Sequence, residues 1–138
     1  MSDQIISEKA PEPVGAYPHA KRVGDVLYLS GVGPRKKNSK DIPGVTLSES
    51  REILSYDVAE QTRAVIENVR MVLQASGLDL KDLVDVQVFL TNMKADFKSF
   101  NAVYAEYFDV ETGPTRTTVE VGALPTPIAV EFKCLAQF

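Results

Sequence analysis

The 138-residue chain is 44% hydrophobic and 25% charged, which suits one domain with a single core and leaves no room for a second. Its net charge of −4 argues against a general nucleic-acid binder, because phosphate contacts need clustered positive charge. No apolar run approaches a membrane span, and the N-terminal stretch with Asp3 and Glu8 lacks an apolar secretory core, so a cytoplasmic location is expected. The lone cysteine, Cys134, permits no internal disulfide and reads as core packing, and one histidine with one cysteine cannot supply the usual zinc ligands.

In chain order, residues 1–12 are polar, close on Pro11-Glu12-Pro13 and are expected to be loosely held. Residues 20–23 and 26–30 flank Gly24-Asp25, a pair suited to a two-residue hairpin turn. Residues 33–50 gather Gly33, Pro34, Pro43 and Gly44 around the basic run Arg35-Lys36-Lys37, so an exposed loop is expected, whose cations either remain solvated or reach an anionic ligand.

From Asp57 the apolar period becomes helical: Val58, Thr62, Val65, Ile66, Val69, Val72 and Leu73 share one face. Asp57 and Glu60 have the spacing of an N-cap and its reciprocal partner, and Gly77 suits the left-handed C-terminal position. Residues 83–90 alternate as a strand with Val84, Val86, Val88 and Leu90 on its apolar side. Asp96 is expected to cap a second helix whose Phe97, Phe100, Val103, Tyr104, Tyr107 and Phe108 form a core stripe, and Gly113-Pro114 stops it.

The final strands are expected over residues 114–121 and 127–132, and they carry charges where strands usually place neutral groups. Arg116 offers a planar fork that matches a carboxylate, and a part-buried Glu131 can be raised toward the working pH to move a proton. The alternative is a salt bridge at a sheet edge. The element order predicts an α+β fold, a sheet with both helices on one face. The other face needs a cover in so short a chain, which points to a homo-oligomer with closed symmetry.

Six blocks, in order over nearly the whole chain, resemble the RidA/YjgF reactive-intermediate deaminase family: Val14-Gly15-Ala16-Tyr17, Tyr28-Leu29-Ser30-Gly31, Gln61-Thr62-Arg63 with Glu67-Asn68, Val88-Phe89-Leu90-Thr91, Phe100-Asn101-Ala102-Val103-Tyr104, and Pro114-Thr115-Arg116 with Val119-Glu120-Val121. The resemblance implies a mixed sheet of the chorismate-mutase-like kind, a homotrimer with active sites between subunits, and hydrolysis of an enamine or imine to a keto acid and ammonia without metal or organic cofactor. It implies that Arg116 grips the substrate carboxylate, that Glu131 positions and activates water, and that Tyr17, Ser30 and Asn101 line the pocket. Packing is the alternative role for Tyr17 and Asn101, and a turn is the alternative for Ser30.

Two departures bear on the substrate. Thr118 stands where typical members have cysteine, so only a backbone contact would survive there. Pro18-His19 and the basic run after Pro34 look like the 2-aminomuconate deaminase branch, whose dicarboxylate enamine would use extra positive charge. His19 and Arg35 are then candidates for the far carboxylate, His19 also for proton transfer, although each is more commonly structural or solvated. The expected reaction is hydrolysis of 2-aminomuconate to 4-oxalocrotonate and ammonia in bacterial aromatic-compound catabolism. The alternatives are a general 2-imino-acid deaminase and a non-catalytic ligand- or RNA-binding trimer.

Overall fold

The computed structural model describes residues 2–138. Strands β1 (Ser2–Ile5), β2 (Ala20–Val23) and β3 (Val26–Leu29) form an antiparallel meander, with the β2–β3 turn made possible by Gly24 at φ +60°. A small hairpin, β4 (Val45–Leu47) and β5 (Ile53–Tyr56), precedes helix α1 (Val58–Gln74). A 3₁₀ turn over Leu80–Asp82 leads to β6 (Leu83–Leu90), then α2 (Met93–Tyr107), β7 (Thr115–Glu120) and β8 (Val130–Gln137). The main sheet runs β1-β2-β3-β8-β6-β7, with β6 and β7 parallel and the other neighbours antiparallel. Both helices lie on one face, as the α+β pattern predicts, and the core fills the space between.

Helix α1 buries every apolar position of its expected face, a stripe completed by the polar Thr62. The Asp57 carboxylate accepts from the Ala59 and Glu60 amides (2.9 and 3.2 Å), while the Asp57 amide donates to the Gly44 carbonyl (2.7 Å), so Glu60 is not its reciprocal partner. The helix unwinds at Gly77, φ +79°, where Gly77 N–H donates to the Gln74 carbonyl and Leu78 N–H to that of Leu73.

Four expectations need correction. Met1 lies outside the described residues, but the rest of the N-terminal segment is tied down: β1 pairs along β2, and Ser7 and Ala10 are buried. The 33–50 loop carries β4, because β5 supplies a partner for its backbone. Asn92, not Asp96, caps α2: its side chain accepts from Ala95 N–H (3.1 Å) and Glu120 Oε1 accepts from Met93 N–H (2.9 Å), so the helix starts a turn early. Asp96 is buried inside it, accepting from the Tyr56 hydroxyl (2.7 Å). Finally, a bulge between Leu83 and Asp85 turns Val84 outward while Leu83, Val86, Val88 and Leu90 face the core.

Strand β8 begins at Val130 and continues past Phe132 to Gln137, burying Cys134 completely. That burial pushes the thiol up to about 12, in keeping with core packing. On the face away from the helices, Val23, Tyr28 and Val119 leave an exposed apolar surface.

Candidate active site

Arg116 sits on β7 in register with Val86 of β6, whose other neighbour is Cys134 of β8. Val86 and Cys134 are fully buried beneath the helices, so Arg116 shares the helix-side face. Its guanidinium lies over the rings of Tyr104 (4.7 Å to the centroid) and Phe100 (5.2 Å), one turn apart on the α2 stripe, which fixes the cation on aromatic faces. Nη1 donates to Asn101 Oδ1 (2.8 Å), while no carboxylate among the described residues forms an ion pair with Arg116. Thr118, in register with Val88, follows on the same face. Arg116, Asn101, Tyr104, Ala105 and Pro114 line an open groove. Burial raises the Tyr104 hydroxyl to about 12, with the Arg116 charge opposing, so the phenol beside the guanidinium remains neutral.

Glu131 begins the other half. It alternates with Val130 and Phe132, both buried on the helix side, and pairs with Phe89, so its carboxylate points to the opposite face. Half-buried, it is pushed above the usual carboxylate range by desolvation, and the charge of Arg35 partly restrains that rise. Gly31 makes room for it: a β-carbon there would stand 2.8 Å from Glu131 Oε2.

Gly31 also walls a small cleft lined by Tyr17, His19, Ser30, Arg35 and Pro11. The backbone and the side chains of this region are strongly interlocked. Tyr17 is partly exposed and its hydroxyl accepts from Val14 N–H (3.2 Å), while Ser30 Oγ donates to the Pro18 carbonyl (2.8 Å). Arg35 donates through Nη2 to the Glu12 carbonyl (2.6 Å), and Lys37 Nζ donates to the Glu8 carbonyl. His19 is buried with both ring nitrogens engaged: Nδ1 accepts from Ser7 N–H (3.0 Å) and Nε2 meets the Pro11 carbonyl (2.8 Å). A ring so occupied holds backbone, and the expectation that it grips a carboxylate or shuttles a proton gives way.

Sequence reasoning missed two contributors to this half. Asn68, buried on α1, donates from Nδ2 to the carbonyls of Gly33 (2.9 Å) and Arg35 (2.8 Å), fixing the start of the basic run. With Gln61 and Thr62 it is one of three polar side chains that α1 buries, and a polar residue on a helix's buried side is the signal that identifies it. Gly31 was visible only as part of a motif, since its need for a missing β-carbon is a tertiary fact. Among the described residues, no group of three or more His, Cys, Asp or Glu side chains is placed to hold a metal ion.

Thus one copy of the chain assembles Arg116, Asn101 and Thr118 on one face, and Tyr17, Ser30, Arg35 and Glu131 around a separate cleft and its edge. The family model described as Endoribonuclease L-PSP matches residues 7–138, nearly everything that carries these two halves. The chain belongs to this family. Within it, a RutC family protein of Saccharolobus solfataricus is 39% identical over 137 residues, 99% of this chain and 98% of that one. The chloroplastic Reactive Intermediate Deaminase A of Arabidopsis thaliana is 34% identical, covering 96% of this chain and 64% of its own. The crystal structure of Escherichia coli TdcF with bound serine superposes at a TM-score of 0.82 with 30% identity, covering 99% of this chain and 98% of that one. The family thus includes reactive intermediate deaminases, in agreement with the grouping that the sequence blocks resemble.

Proposed function

We propose that the protein is a cofactor-independent deaminase that hydrolyses short enamine and imine acids to 2-oxo acids and ammonia, at sites completed by a second copy of the chain in a homotrimer. The observation that carries this reading is the pairing of an arginine held on aromatic rings with a half-buried glutamate raised above its ordinary range. The first suits a planar carboxylate, and the second, holding a proton more tightly than an ordinary carboxylate, suits proton transfer. The relative named as a deaminase and the neighbour that holds serine, an amino acid, support it.

In the reaction, the enamine tautomerises to the imine and Arg116 holds the adjacent carboxylate. Glu131 takes a proton from water as its oxygen bonds to the imine carbon. The same carboxyl delivers that proton to nitrogen to give the carbinolamine; it then takes the hydroxyl proton and passes it to the amine, so that the C–N bond breaks, the C=O bond forms and ammonia leaves. Positioning of this kind accounts for several kcal/mol of barrier. Because Arg116 and Glu131 occupy opposite sheet faces, the reading requires them to come from different copies.

A second reading narrows the substrate to the dicarboxylate 2-aminomuconate. Arg35 favours it: its charge reaches Glu131 and it lines the cleft where a distal carboxylate would lie. Ammonia release from 2-iminopropionate and from 2-aminomuconate, each generated in solution, separates the two. Turnover of both supports the general reading, turnover of the dicarboxylate alone supports the narrower one, and turnover of neither contradicts the deaminase.

A further inference from the structure

We infer that His19 is a positioning residue that holds the segment Ser7–Pro13 as a wall of the cleft and, through that segment, sets the direction of Arg35. Four bonds meet at this one residue. Its amide donates to the Ile5 carbonyl (3.1 Å) and its carbonyl accepts from Ser30 N–H (3.0 Å), which ties β1 to the end of β3. Its ring takes Ser7 N–H on one side and reaches the Pro11 carbonyl on the other, so it brackets residues 7–11 of the segment.

Ser7 is further anchored to α1 through the Met71 carbonyl (3.4 Å), and its hydroxyl accepts from Ala10 N–H (3.1 Å). Ala10, Pro11 and Pro13 then face the cleft. The Arg35 guanidinium is bonded to the Glu12 carbonyl, next to the carbonyl that His19 holds. Displacing the segment therefore moves the anchor of the one cation lining this cleft among the described residues. The bonding also dictates the ring's form: an acceptor at Nδ1 and a donor at Nε2 define the neutral Nε2–H tautomer. The inference rests on the proposed site only in assigning the cleft to the distal end of the substrate.

The test uses the assembled protein with His19→Ala and His19→Asn, since an asparagine oxygen reproduces the acceptor that Ser7 uses. Amide exchange at Ser7 and Ala10, the affinity for 2-oxoglutarate as an unreactive dicarboxylate, and KM and kcat are read together. In His19→Ala, exchange at Ser7 accelerates, the dicarboxylate dissociation constant and KM rise about tenfold and kcat changes less than about twofold, while His19→Asn recovers most of the affinity. Adding Arg35→Ala to His19→Ala then costs little more, as expected for two residues acting through one contact. A fall in kcat at unchanged KM, or unchanged 2-oxoglutarate affinity despite faster exchange, overturns the inference. Exchange and 2-oxoglutarate binding report on the clamp even when the wild type turns over no imine, which is the separate failure of the deaminase reading.

Discussion

Arg116 and Glu131 stand on opposite faces of the same sheet: Arg116 is in register with Val86, which faces the helices, and Glu131 with Phe89, which does not. Two strands placed on either side of β6 thus present the cation and the carboxylate in opposite directions. A protein that uses both on one small substrate must bring a second copy against itself, and the exposed Tyr28 and Val119 on the helix-free face offer apolar surface for such contact.

The role of Arg116 depends on its fork as much as its charge. Arg116→Lys is expected to lower kcat/KM about a hundredfold, because a lysine offers neither the bidentate geometry nor the same stacking over Tyr104 and Phe100. Circular dichroism and subunit mass should remain those of the wild type. Retention of full kcat/KM would remove Arg116 from substrate binding.

Gly31→Ala separates catalysis from stability. The added methyl meets Glu131 Oε2, the end of a flexible side chain, so the fold yields cheaply while the carboxylate is displaced. The melting temperature is expected to stay within about 2 °C as kcat falls at least about tenfold. Unchanged turnover would show that the position of Glu131 does not matter.

The pH dependence follows from the raised carboxyl of Glu131. Activity that needs the ionised form is expected to fall on the acid side at a pH above the ordinary carboxylate range. Arg35→Ala removes the charge that lowers this group and shifts the limb further upward. For stability the sign is opposite to that of a salt-bridged acid: the contribution of a raised carboxyl is present at low pH and lost as pH rises through the folded value. Glu131→Gln, which imitates the protonated form, should therefore gain stability relative to wild type as pH increases. Melting temperatures across the pH series check this, and a gain confined to acid pH would contradict the burial of Glu131.

Removing the Asn68 side chain should loosen the basic run. Asn68→Ala leaves the carbonyls of Gly33 and Arg35 without their donor and is expected to destabilise the fold by about 1–3 kcal/mol in urea titration. A neutral effect would mean that water replaces both bonds.

The sequence made the buried face of α1 and the β2–β3 turn legible, because periodicity and a glycine with positive φ are local properties. The stripe expected on α2 overreached at Phe97, which is 38% exposed. Arg116 and Glu131 were also visible, as charges in strands rich in β-branched residues. Their opposed directions follow only from register, which neighbouring strands decide together. The bulge that expels Val84 and the Tyr56 contact that buries Asp96 join residues distant in sequence, and the backbone clamp around His19 joins residues outside any one element. Composition misled at the N-terminus, where a polar segment is held by backbone pairing and by cations donating to its carbonyls.

The most direct measurement is complementation between Arg116→Ala and Glu131→Gln chains, each inactive as a pure assembly, mixed by co-refolding in equal amounts. If every site takes Arg116 from one copy and Glu131 from another, random mixing restores about a quarter of the wild-type sites whatever the number of copies in the ring. Recovery near that level supports a site shared between chains; mixtures as inactive as their parents, although shown by mass to have exchanged subunits, would contradict it.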